Sequence, residues 1–284
     1  MNENIEQITD PKDRGGEKLL RIADFDGLVA LVQSAVLEIH PWGATTDIWE
    51  KPDMITMDLD PGGEVAWDNV IAAAREIKER LEAEGLAGFV KTSGGKGLHV
   101  VTPLKPKAGW AEVKAFAKRL ADTMAAESPD RYIAKATKAE RTGKIFIDYL
   151  RNGRGNTAVA AYSTRARPGA AVSMPLEWTE LTADIGPAYF TIENTPPRLD
   201  ALPKDPWDGF FAAAKPLEKR RSVSAWQWPA VSLSRGGETD NALVPATRLP
   251  SQLRRAGRAR IWWRLPGRSS HSLAQLPPVR SPWH

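Results

Sequence analysis

Seven residues, Ile55-Thr56-Met57-Asp58-Leu59-Asp60-Pro61, constrain the fold of this chain more than any other stretch. Apolar and polar residues alternate strictly, which is the period of a half-buried strand. Ile55, Met57 and Leu59 face one way, and Thr56, Asp58 and Asp60 face the other. Pro61-Gly62-Gly63 then stops the strand, so two carboxylates stand side by side next to a tight turn. Like charges this close push one acid towards protonation unless a cation intervenes, and hard oxygen ligands suit Mg2+ or Mn2+. As a bare pattern Asp-x-Asp also fits two solvated acids at a strand end, a metal-dependent nuclease or a glycosyltransferase.

The chain of 284 residues is long enough for one large or two modest domains with a real core. It has no cysteine, which excludes disulfides, thiolate zinc sites and a cysteine nucleophile and fits a cytoplasmic setting. No run of about 18 apolar residues suggests a membrane span, and the acidic N-terminus has no signal-peptide core. The net charge of +4 is divided unevenly. Residues 215–284 carry 13 Lys and Arg against 3 Asp and Glu, a net +10, while the first 214 residues sum to −6. Any nucleic-acid contact in the main domain must therefore come from locally placed residues rather than from a general basic surface.

Residues 1–20 are polar and are expected to be irregular. Leu28, Leu31, Val32 and Val36 have helical spacing and predict a short buried helix, and Leu37 to Gly43 reads as a strand and turn with His40 at the strand end before Pro41. Trp67, Val70, Ile71, Ala74, Ile77 and Leu81 mark one amphipathic helix; Trp110, Val113, Phe116, Ala117, Leu120 and Met124 mark another. Between them lie strands at 88–92 and 98–102, joined by Ser93-Gly94-Gly95-Lys96-Gly97. That turn lacks the Gly-x-x-x-x-Gly-Lys-Ser/Thr spacing of a P-loop, yet its glycines would let backbone N–H groups, Ser93, Lys96 and His99 approach a phosphate. It is equally compatible with a flexible hairpin loop.

The segment 131–144 is rich in Lys and Arg, and Lys144 to Leu150 reads as a buried strand in which Asp148 needs a compensating cation or arginine. Arg151 and Arg165 sit in the loops on either side of a predicted strand, Thr157 to Ala161. Beyond about Arg221 the composition turns to Pro, Ser, Arg and Trp without periodicity, as in an unstructured extension or out-of-frame sequence, though basic and aromatic interleaving also suits a nucleic-acid-binding tail.

Together the segments Ile39-His40-Pro41-Trp42, Asp58-Leu59-Asp60-Pro61-Gly62, Lys91-Thr92-Ser93-Gly94-Gly95-Lys96-Gly97-Leu98-His99-Val100 and Phe146-Ile147-Asp148-Tyr149-Leu150-Arg151-Asn152 are far more specific than any one of them. In this order they closely resemble the polymerase domain of bacterial DNA ligase D, of the archaeo-eukaryotic primase superfamily, over roughly Gly15 to Phe211. The resemblance implies a mixed α/β (α+β) primase-polymerase fold with an RRM-like antiparallel catalytic sheet flanked by helices. It implies Asp58, Asp60 and Asp148 as the catalytic and metal-binding triad for two Mn2+ or Mg2+ ions. His40, Ser93, Lys96, His99, Arg151 and Arg165 would then contact the nucleotide.

The activity so implied is addition of ribo- or deoxyribonucleotides to DNA 3′ ends, at ends bearing a 5′-phosphate, by two-metal catalysis in non-homologous end joining. Ku and separate phosphoesterase and ligase modules are the implied partners, and the nucleoid-associated cytoplasm is the implied location. Family domains begin upstream of the material present here, so the expected organisation is an irregular 1–20, a primase-polymerase domain at 21–214 lacking its N-terminal part, and a basic tail at 215–284. A catalytically silent DNA-end or Ku-binding fragment is the competing expectation.

Overall fold

A computed structural model describes residues 5–12, 15–16, 18–218 and 261–264. Its centre is an antiparallel sheet built on β3 (Met54–Pro61), β4 (Phe89–Thr92), β5 (Leu98–Lys105) and β7 (Ile145–Asp148). The helices α2 (Trp67–Ala83) and α3 (Trp110–Glu127) follow β3 and β5 respectively. The strands lie in the order β7-β3-β5-β4, extended by the short strands β6 (Tyr132–Ile133) beside β7 and β8 (Pro175–Leu176) beside β4. This β-α-β-β-α-β arrangement is the RRM-like sheet that the sequence led us to expect.

Period-2 alternation decides which face is core. Ile55, Met57 and Leu59 are all fully buried, and Val90, Leu98 and Val100 continue the same layer. Both helices lay their apolar stripes on it, Val70, Ile71, Ala74, Ile77 and Leu81 from α2 and Val113, Phe116, Ala117, Leu120 and Met124 from α3. The opposite face is left for polar residues and for the loops that cross it.

The N-terminus departs from expectation. Residues 5–9 and 18–22 are strands, β1 and β2, paired antiparallel with Ile5 opposite Ile22 and Thr9 opposite Lys18. Leu20 and Ile22 are buried in one cluster and Leu19 in another, so a stretch that reads as polar hides a short strand covered on both faces. α1 (Phe25–Gln33) packs on this hairpin, its start capped by the Asp24 side chain accepting from Gly27 N–H at 2.9 Å. Its buried residues are Gly27, Ala30 and Leu31, whereas Val32 is exposed, because the helix has the small sheet on one side only.

Leu37 to Trp42 and Thr157 to Ala161 do not form the predicted strands. They touch through Ala160 N–H to the Ile39 carbonyl, Ala158 N–H to the Pro41 carbonyl and a bridge at Trp42 and Thr157. Pro41 has no N–H to give, and Ile39 N–H is taken by Ser163 Oγ, which breaks the ladder. α4 (Thr195–Ala201) and β9 (Lys215–Pro216) close the domain, β9 running parallel to β5. Ordered pairing thus continues past residue 214. From residue 219 on the basic tail lies outside the described residues, except that β10 (Ile261–Arg264) pairs antiparallel with β2. No helix among the described residues is long and apolar enough to cross a membrane.

One residue of this framework sets a pH dependence. Asp53, just before β3, holds the strand through its backbone, donating to Gly43 and accepting from Leu104 N–H, but its Oδ1 is sealed from water without a partner. Burial raises its carboxyl to about 6. The native state therefore binds more protons than the unfolded chain between about pH 4 and 6, and stability falls as pH rises through that window. Asp53→Asn is expected to stabilise the protein by about 1–3 kcal/mol at pH 7.5 and to give no gain at pH 4. Denaturation midpoints at the two pH values test this; equal effects at both would contradict it.

Candidate active site

Four ionisable side chains form a row across the polar face of the sheet. Asp148 of β7 is the Cα partner of Asp58 of β3, Asp58 is the partner of His99 of β5, and His99 is the partner of Lys91 of β4. Directly opposed residues in antiparallel strands project to the same face, so the register alone brings these groups together. All four are buried, Asp58 9%, Asp148 8%, His99 3% and Lys91 2% exposed.

Asp148 ends its strand, and its Oδ1 accepts from Leu150 N–H at 2.8 Å, which turns the chain into a single 3-10 turn at Leu150–Asn152. Asn152 replaces the next rung of the ladder, its Oδ1 accepting from Thr56 N–H and its Nδ2 donating to the Thr56 carbonyl, both at 2.8 Å. That clamp swings Arg151 back over the acids. Its guanidinium lies 3.1 Å from Asp58 and 3.2 Å from Asp148. Asp60 sits one pleat further along β3, half exposed, and pairs with Arg141 at 2.9 Å.

The charges are strongly coupled. Burial opposes ionisation of Asp58, but His99, Arg151 and Lys91 together outweigh it and hold its carboxyl below the usual range. Burial keeps the Asp148 carboxyl raised despite Arg151. Burial, reinforced by Lys91, lowers the His99 imidazole to about 4, so the ring is neutral at pH 7. Its Nε2 stands 3.4 Å from Asp58, and its Nδ1 is buried without a partner among the described residues. Burial pushes the Lys91 ammonium down to about 7, with Asp58 opposing.

A second cluster adjoins the row at the turn between β4 and β5. Glu38 binds His40 Nε2 at 2.9 Å and Arg165 Nε at 2.7 Å, and Arg165 donates to the Ser93 carbonyl at 2.6 Å. Ser93 Oγ accepts from both Gly95 and Gly97 N–H at 3.2 Å, so these amides close the turn on itself. The glycines are needed for packing: a Cβ on Gly97 would lie 1.7 Å from the Leu59 carbonyl oxygen, and one on Gly94 2.8 Å from Arg165. Lys96 is exposed at the tip of the turn.

Of the residues expected from sequence, Asp58, Asp148, His99 and Arg151 come into one cluster, and His40, Arg165 and Ser93 into a neighbouring one joined through Glu38. Asp60 stands beside the first on its strand, and Lys96 joins neither by a contact. Lys91, Arg141, Glu38 and Asn152 were not singled out. Lys91 had a signal, a lysine inside an apolar strand; Arg141 was visible only as part of a basic segment. A cavity of about 360 Å3 opens beside the row, lined by Asp148, Arg151, Gly155, Asn156 and Thr157 among others. Among the described residues no three His, Asp or Glu side chains converge on one point, since Asp60 is drawn to Arg141.

An RRM-like sheet with paired aspartates on its central strands, and a glycine-built basic turn beside them, defines a primase-polymerase type of domain. Residues 1–207 match the family described as LigD, primase-polymerase domain, and the chain belongs to that family. The multifunctional non-homologous end joining protein LigD of Pseudomonas aeruginosa is 41% identical over 204 residues, covering 72% of this chain and 24% of that protein. The bifunctional non-homologous end joining protein LigD of Bacillus subtilis is 30% identical over 186 residues, 65% of this chain and 30% of that protein. This chain thus spans about a quarter of the length of these relatives. The polymerase domain from Mycobacterium tuberculosis ligase D, solved in complex with DNA, superposes with a TM-score of 0.66 at 29% identity over 75% of this chain and 76% of that one.

Proposed function

We propose that this chain is a DNA-repair nucleotidyltransferase that adds ribo- or deoxyribonucleotides to DNA 3′ ends in non-homologous end joining. The observation that carries this reading is the cross-strand pairing of Asp58 with Asp148, with Asp60 on the same strand face and the Ser93, His40 and Arg165 cluster alongside.

The donor set fits divalent cations. Asp58, Asp60 and Asp148 offer hard oxygens and no soft ligand, and the guanidiniums that now neutralise them belong to long side chains able to swing away, Arg151 being 42% exposed. Two Mg2+ or Mn2+ ions held there would acidify a primer 3′-hydroxyl and neutralise the departing pyrophosphate. The protein's own part is positioning. Arg151 and Arg165 would take the negative charge of a triphosphate once released from their carboxylates, and a neutral His99 would add no charge of its own. Ser93 keeps a hydroxyl hydrogen for a phosphate oxygen because its two bonds from Gly95 and Gly97 use it as an acceptor. Lys96, exposed on the same turn, would reach the outermost phosphate.

The DNA-bound state of the Mycobacterium tuberculosis relative supports DNA as the substrate. Ku, and ligase and phosphoesterase modules, are the partners we propose from the end-joining role of the relatives, acting in the nucleoid-associated cytoplasm on ends with a 5′-phosphate. The reaction class is tested by product. Pyrophosphate release with an rNTP and primed DNA is expected; strand shortening or sugar-nucleotide turnover would assign the acids to a nuclease or glycosyltransferase instead.

A further inference from the structure

Arg154 lies in the loop that follows β7, flanked by Gly153 and Gly155, and the proposed chemistry does not use it. The first part of that loop is tied to β3 by Asn152. The next part is tied to the body of the protein by the Arg154 side chain. Its Nη1 and Nη2 donate to the two oxygens of Asp10, just past β1, at 2.5 and 2.7 Å, and its Nε donates to Glu50 at 3.0 Å. Lys12 closes the set with an ion pair to Glu50 and a backbone N–H bond to Asp10 Oδ1, each at 2.8 Å. The guanidinium also stands 5.6 Å from the centre of the buried Trp42 ring, within the range of a cation–π contact.

These contacts are more than a surface ion pair. Asp10 is 7% exposed, and a two-pronged bond between arginine and carboxylate fixes direction as well as distance. Glycine on both sides leaves the backbone permissive, and Gly155 has φ +77°. Gly153 and Asn156 use their N–H groups on carbonyls within the loop, those of Leu150 and Gly153, so these bonds hold the turn's shape and not its place. Its place matters because Arg151 and Asn156 belong to it, and both line the cavity beside Asp148.

We propose that Arg154 is a positioning residue for nucleotide addition: anchored on Asp10 and Glu50, it holds the 150–157 loop so that Arg151 and the cavity wall keep one arrangement beside the acids. The strand pair β1–β2 is then part of the support of the active site rather than an appendage to it. The proposal rests on the nucleotide-adding reading given above.

The full chain is compared as wild type, Arg154→Met and Asp10→Asn/Arg154→Met. In the double variant no buried acid is left without its partner, since Glu50 keeps Lys12. In both variants the KM for an rNTP is expected to rise at least about fivefold while DNA affinity stays within about twofold, because Arg151 is misplaced and the acids are not. The double variant is expected to melt higher than Arg154→Met with its KM still raised. A merely structural arginine predicts fewer folded molecules instead, hence lower kcat at unchanged KM, and recovery along with Tm in the double variant. Unchanged KM in either variant, or a wild-type KM in the double one, overturns the proposal. Where Arg154→Met does not fold, the double variant decides alone, and its failure to fold also overturns the proposal. Hydrogen exchange needs no activity: the amides of residues 150–157 are expected to exchange at least about tenfold faster in the double variant, with β3 and β5 unchanged. No acceleration there, or an equal one throughout, overturns the proposal. A wild type that adds no nucleotide would instead remove the reading on which it rests, and the exchange result would still decide whether Arg154 holds the loop.

Discussion

Asp148→Asn is expected to lower nucleotide addition by about 10³-fold or more while the protein stays folded and binds DNA. Asparagine keeps the Oδ1 acceptor that caps Leu150 N–H, so the turn that carries Arg151 and Asn152 survives. What disappears is the charge opposite Asp58, and with it one hard anionic ligand of the proposed metal pair. DNA affinity should hold or rise slightly, because one negative charge has been removed beside the proposed phosphate site, and its steep fall with salt should persist. Extension assays with fluorescence anisotropy on the same preparation check both halves. Retained extension would mean that Asp148 is a structural cap only; parallel loss of binding would mean that it supports the DNA surface.

Gly97→Ala is expected to cost about 3 kcal/mol or more, roughly 6–12 °C in Tm, and most of the activity. The added Cβ would meet the Leu59 carbonyl oxygen at 1.7 Å and the Leu59 carbonyl carbon at 2.9 Å. Both are backbone atoms of the fully buried residue between Asp58 and Asp60, so neither can turn aside. Relief requires β3 and the turn to separate, which moves the acids and the Ser93 cluster relative to one another. Gly63→Ala is the control, since nothing lies within 4 Å of its added Cβ, and it should change Tm little. Equal, small effects of the two substitutions in a thermal melt would contradict the close approach.

Strict alternation made β3 and its buried face legible in sequence, and the two amphipathic stripes did the same for α2 and α3. The arrangement of the sheet was implied by the resemblance that the motif series carries, not by element order alone, and the β-α-β-β-α-β run then agrees with it. What could not be read was register. Nothing local in Phe89-Val90-Lys91-Thr92 says that Lys91 stands opposite His99, or that Asp148 stands opposite Asp58. The roles of Glu38 and Arg141 were hidden for the same reason, since each acts across more than 80 residues of sequence, on Arg165 and on Asp60. The N-terminal hairpin was missed because Lys18-Leu19-Leu20-Arg21-Ile22 is too short, and too bracketed by charge, to stand out from a polar arm.

The acidic row also explains why this site is held by arginines. Two carboxylates on adjacent strands, each less than a tenth exposed, repel one another unless positive charge lies close. Arg151 supplies it from the turn that Asp148 itself caps, so one residue both builds the loop and receives its cation.

The most direct test of the central claim is primer extension on a gapped, 5′-phosphorylated DNA with Mn2+ and each rNTP in turn, using the full chain and its Asp58→Ala/Asp60→Ala variant. The account predicts added nucleotides with the parent and none with the variant. A folded parent that binds the DNA and adds nothing, or a variant that extends as well as the parent, would contradict it.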